Sequence, residues 1–404
     1  MLIGIIEVSE PNHYSAVNGL LKTYSSIQDN QIIVYTLPSI QVALKENGLP
    51  QNTSVVTLDH RKSLAKLLKS IEEIKFDRIH ICTIYDNYAE FSRFKPQSEE
   101  IFLHIHHCEE WYNDNFHRAI SNLFLNLRYK DQNRKYLRII ARAVVDFLIF
   151  RPLRKKIISN YDTSYKFSLV VHSEGQKETL IRYLCKHKII VFPFAIYEGM
   201  DDSSTLNQVL KICIPGVITQ ARRDYLSLFN SLKRNASSLQ DRICLHLLGY
   251  VTDREKEEME LAISDLINSG YKVFYHDSFV YGKEFDEAVA SCDLLLNNQF
   301  VSKNTTEVYG QTKESGMIFN MLRAAKPGLL PRQYHVSSEF HDSTLFFDDY
   351  EHLIKIIEML LDDRELLNNL KTFAKELSVC YLPTNLYSRL NPDTKYPLYV
   401  ESEQ

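Results

Sequence analysis

No uninterrupted apolar stretch in the sequence reaches the roughly 18 to 20 residues that a bilayer-spanning helix needs. That argues against a helical integral membrane protein. Nor do the seven cysteines, Cys82, Cys108, Cys185, Cys213, Cys244, Cys292 and Cys380, fall in a CxxC spacing. Scattered and odd in number, they read as reduced, buried thiols and not as a disulfide framework. The opening MLIGIIEVSEPNH has no basic region ahead of its apolar run and no cleavage site after it, so it is expected to be a first β-strand and not a secretory signal. Positive charge is also short: 47 Lys and Arg stand against 51 Asp and Glu, a net charge of -4, which offers no general field for nucleic acid. No segment of about 20 to 50 residues repeats, which argues against a solenoid. What is left is a cytoplasmic globular protein, with attachment to the inner face of the cell membrane still open.

What is present is ample core material. The chain is 45% hydrophobic, with 24 Tyr and 21 Phe, and its 404 residues exceed what one ordinary core takes. Short apolar runs alternate with helical segments along its whole length, the pattern of parallel βαβ units. Strands are expected at 2–8, 31–35, 54–58, 78–83, 101–106, 167–172 and 189–192, and again at 211–214, 243–248, 272–275, 294–297, 328–330 and 345–347. Helices fit at 63–74, 174–184, 224–232, 253–269, 283–291 and 316–325, with a last one from 350 continuing to about 377. The polar stretch YEGMDDSSTLNQ at 197–208 separates the halves. The expectation is an α/β protein of two Rossmann-like domains, 1–200 and 209–380, facing a central cleft, with a 381–404 tail packing back on the first. Ligands of such folds bind at the carboxyl ends of strands, so function is sought in the loops that follow them.

The strongest motif is TTEVYGQTKESGMIFNMLRAAKPGLLP, residues 305–331. A polar, Gly-containing loop runs into a helix at Ser315-Gly316, with Ser315 as its expected cap. Small residues there let the unpaired N–H groups of the first turn approach an anion, and Lys313 adds a full charge against a diphosphate. An ordinary capped helix fits the same residues. The helix ends at a small residue followed by Lys326-Pro327 and an apolar strand, and this resembles the donor domain of GT-B glycosyltransferases, especially those of family 4. The resemblance implies that the turn from Thr312 through Lys313, Glu314, Ser315 and Gly316 binds the donor pyrophosphate and that Asn320 stands where a family glutamate holds the ribose hydroxyls. The family's glutamate pair is not matched in register, since Glu307 and Glu314 are seven apart, so retention of anomeric configuration is not implied.

Further stretches extend the resemblance. CIPGVITQARRDY, residues 213–225, is similar to the first strand and loop of the donor domain, where Gly216 lets the backbone approach and Arg222 or Arg223 reaches the phosphates. YHDSFVYGKEFDEAVASCDLLLN, residues 275–297, resembles the segment flanking the nucleotide base, which would lie against Phe279 and Val280. The sequence has no DxD sugar-nucleotide motif, and Asp348 and Asp349 read as polar residues ahead of a helix. No cofactor and no metal are therefore expected; the nucleotide-sugar is a substrate.

Two histidine-bearing loops mark the first half. EVSEPNHYSAV follows the first strand and places His13 at its rim, where many inverting GT-B enzymes carry the base that takes the acceptor's proton. Glu7 and Glu10 are carboxylate alternatives. IFLHIHHCEEWYND alternates so that His104 and His106 share one side and His107 opens the next loop, which is similar to a His-bearing strand end in bacterial polysaccharide glycosyltransferases. His106 and His107 are thus further candidates for the base, while a zinc reading lacks a fourth ligand. Finally, residues 127–157 carry Arg128, Lys130, Arg134, Lys135, Arg138, Arg142, Arg151, Arg154, Lys155 and Lys156, with apolar residues at helical spacing among them. Such a helix suits an anionic membrane surface or a solvated, core-packed face. The expected activity is transfer of a sugar to a glycan or lipid-linked acceptor in surface polysaccharide or glycoconjugate synthesis. A GT-B epimerase or phosphorylase, and a catalytically inactive GT-B-like binding protein, are the alternatives.

Overall fold

The computed structural model describes residues 1–11, 13–27, 29–58, 63–112, 144–199, 209–220, 222–278, 280, 282–299 and 308–391. They form two parallel sheets. The first contains β1 (Leu2–Glu7), β2 (Gln31–Thr36), β3 (Thr53–Thr57), β4 (Lys75–Thr83), β5 (Gln97–His104), β6 (Lys166–Val171) and β7 (Lys188–Val191), in the spatial order β3-β2-β1-β4-β5-β6-β7. The second contains β8 (Leu210–Pro215), β9 (Ile243–Tyr250), β10 (Lys272–His276), β11 (Leu294–Leu296), β12 (Gly328–Pro331) and β13 (Thr344–Phe347), in the order β10-β9-β8-β11-β12-β13. Every expected strand is present, with ends that move by up to four residues.

In both sheets the chain winds outward from the centre in one direction and then restarts on the other side. The order therefore reverses between β1 and β4, and between β8 and β11. At such a switch point the loops after adjacent strands diverge and leave a crevice at their carboxyl ends. Strands covered by helices on both faces read as continuous apolar runs, and Ile3, Ile5, Ile6, Ile212, Cys213 and Ile214 are all fully buried. In the second unit Leu228 and Phe229, Met259 and Ile263, and Leu353 and Ile357 come from three helices and meet Ile212, Ile214, Leu245 and Leu247 in one core. Each such side chain contributes about 1.5–3 kcal/mol by leaving water.

Helix ends follow local chemistry. Ser173 accepts from the Gln176 N–H, Asp224 from Ser227 and Asp349 from His352, each starting a helix. The expected continuous helix from 350 is two helices, Tyr350–Asp362 and Arg364–Val379, because the Asp363 carboxylate accepts the Leu366 N–H at 2.9 Å and starts a second one.

The chain divides into two compact units. The first comprises Met1–Phe194 with, among the described residues, 308–314 and 383–391; the second comprises 195–299 and 315–382. In the first, the helix Pro383–Leu390 packs on the helix Tyr14–Ser25, with the Tyr24 and Tyr387 rings 5.9 Å apart and nearly perpendicular. The 308–314 segment is fastened there too. Cys108 donates its N–H to the Thr312 carbonyl at 2.8 Å, and the Gly310 carbonyl approaches Gly175 so closely that a side chain at Gly175 would collide with it.

Candidate functional site

In the second unit, a cavity of about 170 Å³ opens past the carboxyl end of β8. Gly216 leaves that strand with φ +106, a backbone region that disfavours side chains, and the Arg223 guanidinium lies over it, 2.7 Å from where a Cβ would stand. Gly249, at the end of the neighbouring β9, has its absent Cβ 2.2 Å from the Gly216 carbonyl oxygen, so only glycine lets the two strand ends come together. Across the cavity the helix Gly316–Ala324 begins. Ser315 caps it, its Oγ accepting the Met317 N–H at 3.1 Å and donating to Gln299 Oε1 at 2.9 Å. Gly216, Arg223, Val280, Gln299, Ser315, Gly316 and Asn320 all line this one space. A helix N-terminus, a guanidinium and close-approaching backbone together suit a phosphate-bearing ligand.

In the first unit, a second cavity of about 280 Å³ lies past β1, β4 and β5. Its floor is a hydrogen-bonded network centred on the buried Glu7 carboxylate. Oε1 accepts the backbone N–H groups of Ser9 and Glu10, both at 3.0 Å. Oε2 accepts the Thr83 hydroxyl at 2.5 Å and the His13 ring at 3.1 Å. His13 Nδ1 also lies 2.8 Å from Thr83 Oγ1, so this nitrogen carries the proton and Nε2 is left to accept one. Beside it, 4.5 Å between centroids, sits His106, whose Nε2 is 2.8 Å from the Cys82 carbonyl and whose Nδ1 is 3.0 Å from His172 Nε2. The Phe192 carbonyl accepts from His172 Nδ1 at 3.0 Å. Deeper still, Tyr24, His80 and His104 form a second hydrogen-bonded run at 2.7 and 3.0 Å, its His104 ring 6.0 Å from that of His172.

Burial lowers the pKa of His80, His104, His106 and His172, the last to about 4. At His106 and His172 desolvation outweighs the Cys82 and Phe192 carbonyls, which favour protonated rings. Two neutral imidazoles have two protons for the three contacts from Cys82 through His106 and His172 to Phe192. A third proton would satisfy all three but would be a charge taken out of water. His107 goes the other way: a hydrogen bond to Glu109 raises it.

Twelve per cent of residues are shared with Anabaena HepE in complex with UDP, which superposes with a TM-score of 0.58 over 97% of this chain and 98% of that one. WaaG, a glycosyltransferase involved in lipopolysaccharide biosynthesis, superposes with a TM-score of 0.55 at 12% identity, over 97% and 100%. No protein-family profile and no curated protein matches the sequence. The chain has the GT-B fold.

Within that fold the structure sorts the expected residues. Gly216, Arg223, Val280, Ser315, Gly316 and Asn320 converge on the second-unit cavity, while Arg222 is exposed and outside its lining. Phe279 and Glu307 lie outside the described residues. Thr312, Lys313 and Glu314 belong to the first unit, where Lys313 forms a backbone bridge with His107 and its ammonium sits 5.6 Å from the Tyr309 ring centre. Glu7, His13, His106 and His107 come together in the first unit, with Glu10 at the cavity wall. β5 ends at His104, so His106 lies past the strand, yet it and His104 flank the same His172 ring at 4.5 and 6.0 Å. Among the described residues no group of three or more His, Cys, Asp or Glu is placed to hold a metal ion.

Sequence reasoning missed Thr83, Tyr85, Tyr88 and Trp111 in the first cavity, the buried His172 behind His106, and Gly249 and Gln299 in the second. Thr83 ends β4, the strand across the switch point from β1, and that position was the available signal. One expectation is corrected. Arg154 does not belong to a solvent-facing basic stripe: it is buried, bidentate to Asp146 at 2.7 and 3.0 Å and set over the Tyr88 ring. Residues 127–143 of that stripe lie outside the described residues.

Proposed function

We propose that this chain is a glycosyltransferase that takes a sugar from a nucleotide-sugar donor bound by the second unit and passes it to a glycan or lipid-linked acceptor bound by the first. One observation carries the donor half. Gly216, Arg223, Val280, Ser315, Gly316 and Asn320, spread over a hundred residues of sequence, line a single cavity at a switch point, where nucleotides bind in such sheets. The UDP bound to HepE favours uridine diphosphate as the carrier, with Arg223 and the helix N-terminus on the phosphates and Asn320 toward the ribose. The role of WaaG favours a surface glycoconjugate as product. The reaction uses no metal or other cofactor, since fixed donors and one guanidinium carry the leaving diphosphate's charge.

His13 is the base in this reading. Its Nδ1–H is held by Glu7 and Thr83, so Nε2 can take the acceptor's proton, and Glu7 steadies the imidazolium that results. The protein acts at the cytoplasmic face of the cell membrane. The test is a thermal-shift panel of UDP-, GDP-, CMP- and dTDP-sugars followed by turnover: a ligand at about 100 times its Kd stabilises the native state by about 2.7 kcal/mol. A UDP-sugar is expected to stabilise the protein and to be consumed when acceptor is added. Absence of stabilisation by every nucleotide-sugar overturns the proposal.

A further inference from the structure

We infer that the first-unit cavity is a subsite for one uncharged pyranose ring of the acceptor, stacked on Trp111 and hydrogen-bonded by Glu10 and Glu110. The inference rests on the acceptor role proposed for that unit and names the chemistry it selects.

Trp111 and Tyr88 both line the cavity, their rings 6.4 Å apart at 71°, so together they make an aromatic corner. Tyr88 is buried and already engaged. The Arg154 guanidinium lies 5.2 Å from its ring centre and the Phe150 ring 5.3 Å away. Trp111, only half-buried, is the member of the corner with surface to offer. One side of a pyranose carries axial C–H groups with partial positive charge, and these match the negative face of an indole.

Opposite polarity is supplied by Glu10 and Glu110, which are acceptors for sugar hydroxyls. Glu110 is fixed in place by the Tyr88 hydroxyl, which donates to Oε2 at 3.1 Å. Burial raises its pKa, against the pull of His107, Arg154 and the Tyr88 hydrogen bond. No Lys or Arg is among the lining residues. A uronate or a sugar phosphate would therefore meet the carboxyl side chains of Glu10 and Glu110 with no Lys or Arg side chain in the lining to offset them, and the His107 ring is already held by Glu109. At about 280 Å³ the space sits at the lower end of small-molecule pockets, the size for one ring and not for a chain of them.

Trp111 is the only tryptophan in the sequence, so its emission reports this cavity alone. The probes are the methyl glycosides of glucose, galactose and N-acetylglucosamine, with glucuronate and glucose 6-phosphate as the acidic counterparts. At least one neutral glycoside is expected to change the emission saturably, with a Kd of about 1–10 mM, and both acidic sugars to bind at least about 10-fold more weakly. Trp111→Leu, shown folded by circular dichroism, is expected to weaken the same glycoside about 10-fold by saturation-transfer NMR. The inference is overturned if no neutral glycoside alters the emission, if the acidic sugars bind as well, or if Trp111→Leu binds as the native protein does. Transfer from a UDP-sugar without any Trp111 response sinks this subsite and leaves the transferase reading standing. A Trp111 response in a protein that neither binds nor consumes any nucleotide-sugar does the reverse.

Discussion

The two cavities are built from different material. The one in the second unit is mostly backbone: two glycines whose missing side chains let strand ends meet, a capped helix terminus, and one guanidinium. The one in the first unit is mostly side chains, a network in which Glu7 and Thr83, 76 positions apart, share a 2.5 Å hydrogen bond. A backbone site binds whatever presents a phosphate and tolerates change around it. A side-chain network holds a particular protonation pattern and breaks when any member is lost.

Acid should separate the units most strongly. The folded-state pKa values of His80, His104, His106 and His172 are depressed by burial, His172 from 6.5 to about 4. The unfolded chain therefore binds more protons than the folded one in that window. The stability these rings contribute is complete above pH 6.5 and is lost as pH falls toward 4. A tenfold change in proton affinity corresponds to about 1.4 kcal/mol, so protonating His172 in the folded state costs about 3 kcal/mol. Hydrogen-exchange mass spectrometry at pH 7 and pH 5, corrected for intrinsic exchange, is expected to show protection falling in β1, β4, β5 and β6 before β8 and β9. Equal losses in both units would erase the contrast.

Next comes the chemical step. His13→Ala should lower single-turnover transfer by about 100-fold, roughly 2.7 kcal/mol, with donor affinity little changed. Product stereochemistry belongs to the same experiment: near-normal transfer, or a product that retains the donor's anomeric configuration, removes His13 as base.

On the other side of the comparison, Arg223→Ala should weaken UDP binding by about 1.5–3 kcal/mol, or roughly 10- to 100-fold, while Arg222→Ala should leave it nearly unchanged. Lys313→Ala sharpens this further. Its ammonium is a donor ligand in the sequence reading, yet its backbone is tied to His107 in the first unit. A loss comparable to that of Arg223→Ala would join the 308–314 segment to nucleotide binding, and no loss in a folded variant would confine that binding to the second unit.

The difference in material also explains what the sequence made legible. Backbone sites announce themselves locally: Gly216 after an apolar strand and Ser315-Gly316 before a helical run each carry their conformation in their own residue types. The central strands were readable for the same reason, since two-sided burial writes them as apolar runs, whereas the edge strands β3 and β10 hold no fully buried residue and were legible from their β-branched and aromatic residues. The His13–Glu7–Thr83–His106–His172 network was not. Its members sit at the ends of β1, β4, β5 and β6, and which strand ends meet follows from sheet order, which a linear pattern does not state. Lys326 illustrates the same limit: its Lys-Pro dipeptide anchors the resemblance, but its ammonium is buried and donates to the Ala290 carbonyl at 2.7 Å. Arg154 likewise looks like one more charge on a basic stripe until Asp146 and Tyr88 are seen around it.

That last contrast sets the smallest expected effect, at the membrane. Along the helix Arg151–Ser164, Lys155 and Lys156 are exposed while Arg154 is buried, and the preceding turn exposes Leu148 and Ile149 at 63% and 51%. Exposed apolar side chains about two turns from exposed lysines are what an interfacial helix presents to anionic lipid, each basic charge adding about 1 kcal/mol at low salt. The native protein should therefore bind phosphatidylglycerol vesicles more tightly than phosphatidylcholine vesicles, and the difference should shrink as salt rises. Lys155→Gln together with Lys156→Gln should cost about 2 kcal/mol, roughly 30-fold, without altering UDP binding. Arg154→Gln should instead destabilise the first unit, because it strips the partner from Asp146 and the cation from the Tyr88 ring that backs Trp111. Binding that ignores lipid charge, or that survives loss of both lysines, would leave this face as ordinary solvated surface.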